Sequence, residues 1–167
     1  MVTRTYIERN LKSLKRKYAS AKTQAEPLYF SKLAIIELCG WIEVTIDSIC
    51  EKHARALISN STFQKQYRIR VESTYGFSQR KHLDPLIRDL IGYQGIQGIE
   101  ALCDPSILNG LHRNLNELTN MRNKLAHTYI KGFTSTIESP QLMLKRFYII
   151  ADGLDHLDEK IKDISNI

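Results

Sequence analysis

Apolar residues recur at helical spacing along much of the chain. Near the N-terminus they stand three or four residues apart, at Ile7, Leu11, Leu14, Tyr18 and Ala21. This period predicts an amphipathic helix over 3–22. Residues 29–58 are apolar around much of a helical circumference, which predicts a long central helix. A last stripe predicts a helix over 141–164, and its members are Phe147, Ile150, Leu154, Leu157, Ile161 and Ile164.

Prolines and glycines mark the boundaries between helices. Glu26-Pro27 marks a break after the first helix, and a weaker helical segment is predicted over 60–73. Three pairs combine an N-cap residue with a proline at the first helical position: Asp84-Pro85, Asp104-Pro105 and Ser139-Pro140. The first pair predicts a short helix that stops at Gly92, and the glycines at 92, 95 and 98 predict a loop after it. The second predicts a helix that ends near Lys131-Gly132.

No segment of the chain alternates convincingly between apolar and polar residues with period two. The predicted fold class is therefore all-α, a bundle of four to five helices with small helical insertions between the second and third main helices. At 167 residues, the chain is expected to form a single domain over 1–167.

Composition narrows the possible chemistry. No signal peptide is visible, and the longest apolar stretch, 33–42, is interrupted by Glu37 and too short to span a bilayer, so a cytoplasmic protein is expected. The three cysteines have no metal-ligand spacing and are expected to be inert core residues: Cys39, Cys50 and Cys103. Without a metal-binding cluster or a phosphate-binding glycine loop, any catalysis is expected to need neither metal nor cofactor.

The net charge of +6 is equal to the excess found in residues 1–24 alone, where seven basic residues face a single Glu8. A phosphate-rich partner such as RNA is thereby favoured. The candidate RNA-binding residues are Arg9, Lys12, Lys15 and Arg16. The alternative is a basic face that is simply solvated. An acidic cluster near the C-terminus is expected to be a solvated face as well: Asp152, Asp155, Asp158 and Glu159.

The helix predicted over 111–130 carries two distinct faces. Its apolar stripe consists of Leu111, Leu115, Leu118, Met121, Leu125, Ala126 and Tyr129. The neighbouring strip is polar but contains no Lys, Asp or Glu, and consists of His112, Asn116, Thr119, Asn120, Asn123 and His127. Because asparagine is a poor helix former and a solvated face would carry charges, this strip is expected to meet something specific.

Arg122 lies at the edge of the apolar stripe, where a guanidinium needs a partner. It is a candidate ligand of phosphate, and the alternative is an ion pair with Glu43 or Asp47, which is compatible with function. These two carboxylates are expected to pair with basic groups rather than to form an acid/base pair. Trp41 is expected in the core.

The segment Arg122-Asn123-Lys124-Leu125-Ala126-His127 resembles the Arg-x4–6-His motif of the HEPN superfamily, and the order of helices and Cys39-Gly40-Trp41-Ile42-Glu43 are similar to it too. This resemblance implies a HEPN-type bundle and a homodimer whose paired motifs form a metal-independent endoribonuclease. The extension through Thr128-Tyr129 is similar to HEPN toxins paired with nucleotidyltransferase antitoxins, in which the tyrosine is adenylylated. For Tyr129, a core aromatic is the alternative.

The residues agree with this chemistry in one respect. Attack by the RNA 2′-OH needs a base, an acid and positive charge at the phosphate, and a dimer supplies two copies of His127. His112 lies ~22 Å along the same helix and cannot be the second imidazole. The expected catalytic residues are Arg122, Asn123 and His127, with Asn120 and Lys124 as possible supporting residues.

The resemblance implies an RNase that is the toxin of a toxin–antitoxin or phage-defence system, and two alternatives to it remain open. One is a non-catalytic HEPN module that binds RNA, a nucleotide or a partner protein. The other is a structural helical dimer whose polar strip makes hydrogen bonds across subunits. If the protein is a toxin, the expected partner is an antitoxin encoded nearby, either a nucleotidyltransferase or a small protein.

Overall fold

The structure, a computed structural model, describes residues 2–127 and 137–164, with the backbone alone at 126 and 127. The described residues form helices and connecting turns, without strands, so the all-α prediction is confirmed. A π-helical turn, Gln79–Leu83, precedes the fourth helix. The α-helices are α1 Thr5–Ala19, α2 Glu26–Leu57, α3 Ser61–Glu72, α4 Asp84–Leu102, α5 Pro105–His127 and α6 Pro140–Ile164.

The four main helices α1, α2, α5 and α6 form a bundle. α1 packs against α2 and α6, and α5 packs against the same two helices. Their predicted apolar stripes meet in one core, in which Leu11, Leu118 and Phe147 are completely buried. Trp41 packs edge-on against Phe147 with 5.1 Å between the ring centroids, as expected of a core aromatic. Its indole Nε1 donates a hydrogen bond to the carbonyl oxygen of Thr3 at 2.9 Å, which fixes the start of α1.

α3, the π-helical turn and α4 form the predicted insertion between the second and third main helices. Asn60 caps α3, because its Oδ1 accepts hydrogen bonds from the backbone N–H groups of Thr62 and Phe63. The buried hydroxyl of Tyr67 donates to the carbonyl oxygen of Leu86 at 2.8 Å and thereby joins α3 to α4.

The predicted loop after Gly92 is wrong, because α4 continues to Leu102. Gly92 has φ 71° and ψ 178°, a non-helical conformation that glycine adopts without strain, so the first helical segment of α4 stops at Gly92 as predicted and a second segment follows it across a kink. At Gly95, an added Cβ would lie 2.6 Å from Cγ1 of Ile91. The two glycines therefore permit a kink and a close contact across it.

The proline signals place helix starts correctly. Pro27 stands in the first turn of α2, so Glu26-Pro27 begins this helix rather than only separating two others. Oδ1 of Asp104 accepts a hydrogen bond from the N–H of Ser106 at 2.7 Å, and Ser139 precedes α6 in the same way. The predicted end of the fifth helix at 131–132 lies outside the described residues.

The acidic cluster on α6 is not a uniformly solvated face, and this expectation is wrong for two of its members. Asp155 binds the guanidinium of Arg4, together with the more exposed Asp152. Asp158 is buried: its Oδ1 lies 2.8 Å from Nε2 of the equally buried His53 and also contacts Lys52. These contacts join α6 to α2 and to the residues before α1.

The three cysteines are buried and free, as expected. Burial raises the pKa of the Cys39 and Cys50 thiols to about 12, which leaves both sulfurs protonated at neutral pH. Of the helices in the described part of the chain, none combines the length and apolar content needed to cross a membrane.

Candidate active site on α5

The apolar stripe of α5 anchors the helix in the bundle. Leu111, Leu115 and Leu118 are fully buried, Leu125 is nearly so, and Met121 packs at the margin of the core. Since these residues fix the rotation of α5, the polar strip has a defined direction away from the core.

Two residues of the uncharged strip form hydrogen bonds within the described part of the chain. Asn116 accepts a hydrogen bond from the backbone N–H of Gln79, and the hydroxyl of Thr119 donates to the carbonyl oxygen of Leu115. Asn120 and Asn123 are exposed, and neither has a hydrogen-bond partner within residues 2–127 and 137–164. The C-terminal half of the strip thus presents amide groups to the outside, one turn apart.

Arg122 contacts the carboxylate of Glu43. Its Nη1 lies 3.2 Å from Oε1 of Glu43, and the two side chains are 36% and 27% exposed. This is the ion pair foreseen as an alternative for Arg122, and it joins α5 to α2. Oε1 of Glu43 makes no aligned hydrogen bond in the described part of the chain, so the contact is mainly electrostatic and the guanidinium keeps donors available.

Asp47 lies one turn beyond Glu43 on α2. Burial and, to a smaller extent, the nearby carboxylates of Glu43 and Glu51 together raise its pKa to about 6. No ion pair joins Asp47 to a basic group in the described ranges, so its expected pairing is wrong. It is a carboxyl group that exchanges its proton just below neutral pH.

His127 is the last described residue of α5, and its side chain is not described. By helical periodicity, positions 123 and 127 lie about 40° apart on one face. His112 lies on the same helix, 15 residues earlier, which corresponds to ~22 Å. Lys124 is exposed, and Tyr129 lies outside the described residues.

An exposed stripe on α2 adjoins this site and was missed by the sequence reasoning. It follows the spacing four, three, four, three and four along Tyr29, Leu33, Ile36, Gly40, Glu43 and Asp47. Its three apolar side chains are 59%, 46% and 40% exposed, in that order. The apolar character of α2 around most of its circumference was the available signal, because a helix in a four-helix bundle cannot bury every side.

In the described part of the chain, packing does not require a glycine at position 40 of this stripe. An added Cβ would meet no atom within 4 Å, and the backbone there is helical. A glycine inside a helix costs about 0.5–1 kcal/mol relative to alanine. Since the chain itself does not require it, Gly40 suits the close approach of another backbone.

The four basic residues predicted to bind RNA line one groove between α1 and α6. Its walls are formed by Thr5, Glu8, Arg9, Lys12, Lys15, Arg16 and Leu144. The structure brings these cations together but does not bring them to Arg122. α1 and α5 lie on different sides of the α2–α6 pair, and Trp41, which contacts the start of α1, is about 200° around α2 from Glu43.

The part of the chain that is described contains no group of three or more His, Cys, Asp or Glu side chains arranged to hold a metal ion. The chain matches no protein-family model, and it has no significant match among curated proteins or solved structures. Its function must therefore be inferred from its own residues.

Proposed function

We propose that the protein is a HEPN-type, metal-independent endoribonuclease whose active site forms where two copies of the chain meet. The observation that carries this proposal is the continuous surface made by the exposed stripe of α2 and the Arg122–Glu43 pair. One side of this surface is apolar and suited to association. The other carries the guanidinium and the amides of the α5 strip.

Dimerisation through α2 explains two features at once. Tyr29, Leu33 and Ile36 would lose their exposure to water, which contributes about 25 cal/mol for each Å² of apolar surface buried. Gly40 would allow the two α2 backbones to approach closely. With a two-fold axis near α2, each copy of α5 lies beside the interface and faces its symmetry mate.

The chemistry follows from the motif residues of the two copies. One His127 accepts the proton of the 2′-OH, and the other donates a proton to the departing 5′ oxygen. Arg122, oriented by Glu43, stabilises the negative charge on the pentacoordinate phosphate. Asn123 shares the face of His127 and either orients the imidazole or donates to a phosphate oxygen.

The proposed cellular role rests on the motif alone. Arg122 to Tyr129 is similar to HEPN toxins, so the proposed context is a toxin–antitoxin or phage-defence system. In that context, single-stranded or tRNA-like RNA is the substrate. A nucleotidyltransferase or small-protein antitoxin is the neutralising partner, and Tyr129 is the candidate modification site.

The decisive experiment is RNA cleavage in the presence of EDTA. The purified protein is expected to give fragments with 2′,3′-cyclic phosphate and 5′-OH ends, and His127→Ala and Arg122→Ala each to lose cleavage by about a hundredfold or more. His112→Gln is the matched control, because it changes an imidazole on the same helix and is expected to keep activity. Cleavage that survives both motif substitutions would refute the assignment.

A second candidate is a non-catalytic module that binds RNA, a nucleotide or a protein. The observation that favours it is the Arg122–Glu43 contact, which offsets the charge of the guanidinium. This candidate predicts RNA binding without turnover. A purely structural dimer, the third possibility, predicts no RNA affinity at all.

A further inference from the structure

The groove between α1 and α6 concentrates positive charge on one face of one helix. Arg9, Lys12 and Arg16 stand at positions i, i+3 and i+7 of α1, with Lys15 beside them. The opening measures about 610 Å³, and Leu144 of α6 forms its apolar wall. These side chains are exposed along a span of ~10 Å, from Arg9 to Arg16.

The single carboxylate in the groove is already satisfied. Oε1 of Glu8 lies 2.6 Å from Nζ of Lys12 and accepts a hydrogen bond from the hydroxyl of Tyr148 at 2.7 Å. Arg9, Lys15 and Arg16 form no ion pair with a carboxylate within the described ranges, and Arg9 instead stacks over the ring of Tyr6. The groove therefore keeps an excess of three positive charges.

This arrangement is unfavourable for the isolated chain, because like charges one turn apart repel each other. Arg4, which precedes α1, differs from these cations because its charge is neutralised by ion pairs with both Asp152 and Asp155. A row of unneutralised cations suits a polyanion. Three such cations in a row can contact about three phosphates of one strand.

The groove is not part of the proposed reaction centre. α1 and α5 both pack against α2 and α6, which lie between them, so the axes of α1 and α5 are farther apart than one helix–helix spacing of ~8–10 Å. A strand of about four nucleotides that occupies the reaction centre does not reach the groove, whereas one of about 20 nucleotides does.

We infer that the α1–α6 groove is an RNA exosite that binds the phosphate backbone of a segment flanking the cleavage point. As a substrate exosite it rests on the proposed ribonuclease function. It raises the affinity for long RNA and takes no part in the chemical step. Its contacts are with phosphates, so it selects RNA by length and charge rather than by base sequence.

The test measures binding of a fluorescent single-stranded oligouridine of about 20 nucleotides to the cleavage-inactive His127→Ala protein. The groove variant adds Arg9→Gln, Lys15→Gln and Arg16→Gln. The control variant instead adds Lys17→Gln, Arg55→Gln and Lys65→Gln, which remove the same charge from exposed positions outside the groove. Circular dichroism verifies that both variants are folded.

The groove variant is expected to bind roughly tenfold to a hundredfold more weakly than the control variant at 0.1 M salt. The slope of log affinity against log salt is expected to fall by about 2, which corresponds to three phosphate contacts on a single strand at about 0.7 each. In the active protein, the same groove substitutions are expected to raise KM for the long RNA, leave kcat unchanged and leave cleavage of a substrate of about four nucleotides unaffected.

Equal affinities and slopes for the groove and control variants would overturn the exosite. It would also be overturned if the groove substitutions abolished binding to phosphatidylserine-containing vesicles and left RNA binding intact, because the partner would then be a membrane surface. If the groove-dependent RNA binding is observed but the wild-type protein cleaves no RNA, the binding surface stands and the proposed ribonuclease activity fails.

Discussion

Arg122 and Glu43 meet at 3.2 Å, and the contact joins the C-terminal end of α5 to the middle of α2. The same contact therefore determines both the direction of the guanidinium and the position of the motif beside the exposed stripe of α2. A carboxylate in this place either orients the arginine for a phosphate or neutralises it, and the two roles predict opposite effects of its removal.

Glu43→Gln is expected to reduce RNA cleavage about tenfold, because the guanidinium loses its orientation and ~1.4 kcal/mol of transition-state stabilisation with it. Stability is expected to change by less than about 1 kcal/mol, since the ion pair is partly exposed. Steady-state cleavage and urea unfolding measure the two quantities. Glu51→Gln, on the same helix, is the control, and faster cleavage by Glu43→Gln would instead indicate that Glu43 holds the arginine inactive.

Substitutions of Gly40 are expected to affect the stability of the single chain and the association of two chains in different ways. Gly40→Ala is expected to stabilise the isolated chain by about 0.5–1 kcal/mol, because alanine is the better helix former and its Cβ has space. Gly40→Leu is expected to shift sedimentation towards the monomer and to abolish cleavage together with it.

Ile36→Glu and Leu142→Glu form a matched pair for the same interface, because the two apolar side chains are similarly exposed, at 40% and 43%, on different helices. Only Ile36→Glu is expected to dissociate the dimer. A dimer that tolerates both Gly40→Leu and Ile36→Glu would contradict association through α2.

Asp47 gives the stability of the protein a defined pH dependence. Its folded-state pKa of about 6 is above the ordinary value of 3.8, so the folded protein binds more protons than the unfolded chain between these values. Stability is therefore expected to fall as the pH rises from about 4 to about 6 and then to level off.

Asp47→Asn is expected to remove this dependence and to stabilise the protein at pH 7 by about 1 kcal/mol, a value reduced for solvent screening of a half-buried group. Urea unfolding at several pH values measures it. Asp163→Asn, on the exposed end of α6, serves as the control, and an unchanged pH profile in Asp47→Asn would show that the carboxyl is solvated in the folded protein.

Asp158→Ala is expected to destabilise the protein by about 3 kcal/mol, because it leaves His53 buried without its partner. Burial opposes ionisation of Asp158, but hydrogen bonds from Lys52 and His53 prevail and lower its pKa. Its stabilisation is thus complete above the ordinary carboxyl range and is lost as the pH falls through the lowered pKa.

Thermal unfolding at pH 7 provides the measurement for Asp158→Ala. Asp152→Ala, which removes a more exposed carboxylate from the same helix, is expected to cost less than about 1 kcal/mol. Equal losses of stability in the two variants would mean that burial of the Asp158–His53 pair does not contribute to the free energy of unfolding.

Most of the fold was predictable because it depends on local signals. The apolar period gives the main helices, and the Asp-Pro and Ser-Pro pairs give the starts of α4, α5 and α6. The prediction failed after Gly92, where 93–102 is helical despite the low helix propensity of Gly95 and Gly98. A backbone kink that retains the helix on both sides has no signature in residue type alone.

The candidate site was predictable in part. The edge position of Arg122 predicted that its guanidinium needs a partner, with an ion pair to Glu43 or Asp47 as the alternative to a phosphate, and Glu43 is in contact with it. Asp47 was expected to pair with a basic group in the same way, but burial and neighbouring carboxylates determine its environment. The contact of His53 with Asp158 joins residues 105 positions apart, and the wall that Leu144 adds to the basic groove depends on packing between the two ends of the chain. Such pairings arise only from the tertiary structure.

Trp41 is the single tryptophan of the chain, and its indole N–H donates to the carbonyl oxygen of Thr3, just before α1. The molecule consequently contains a built-in optical reporter. Its emission is expected to change when the N-terminal helix detaches, and with it the basic groove is lost.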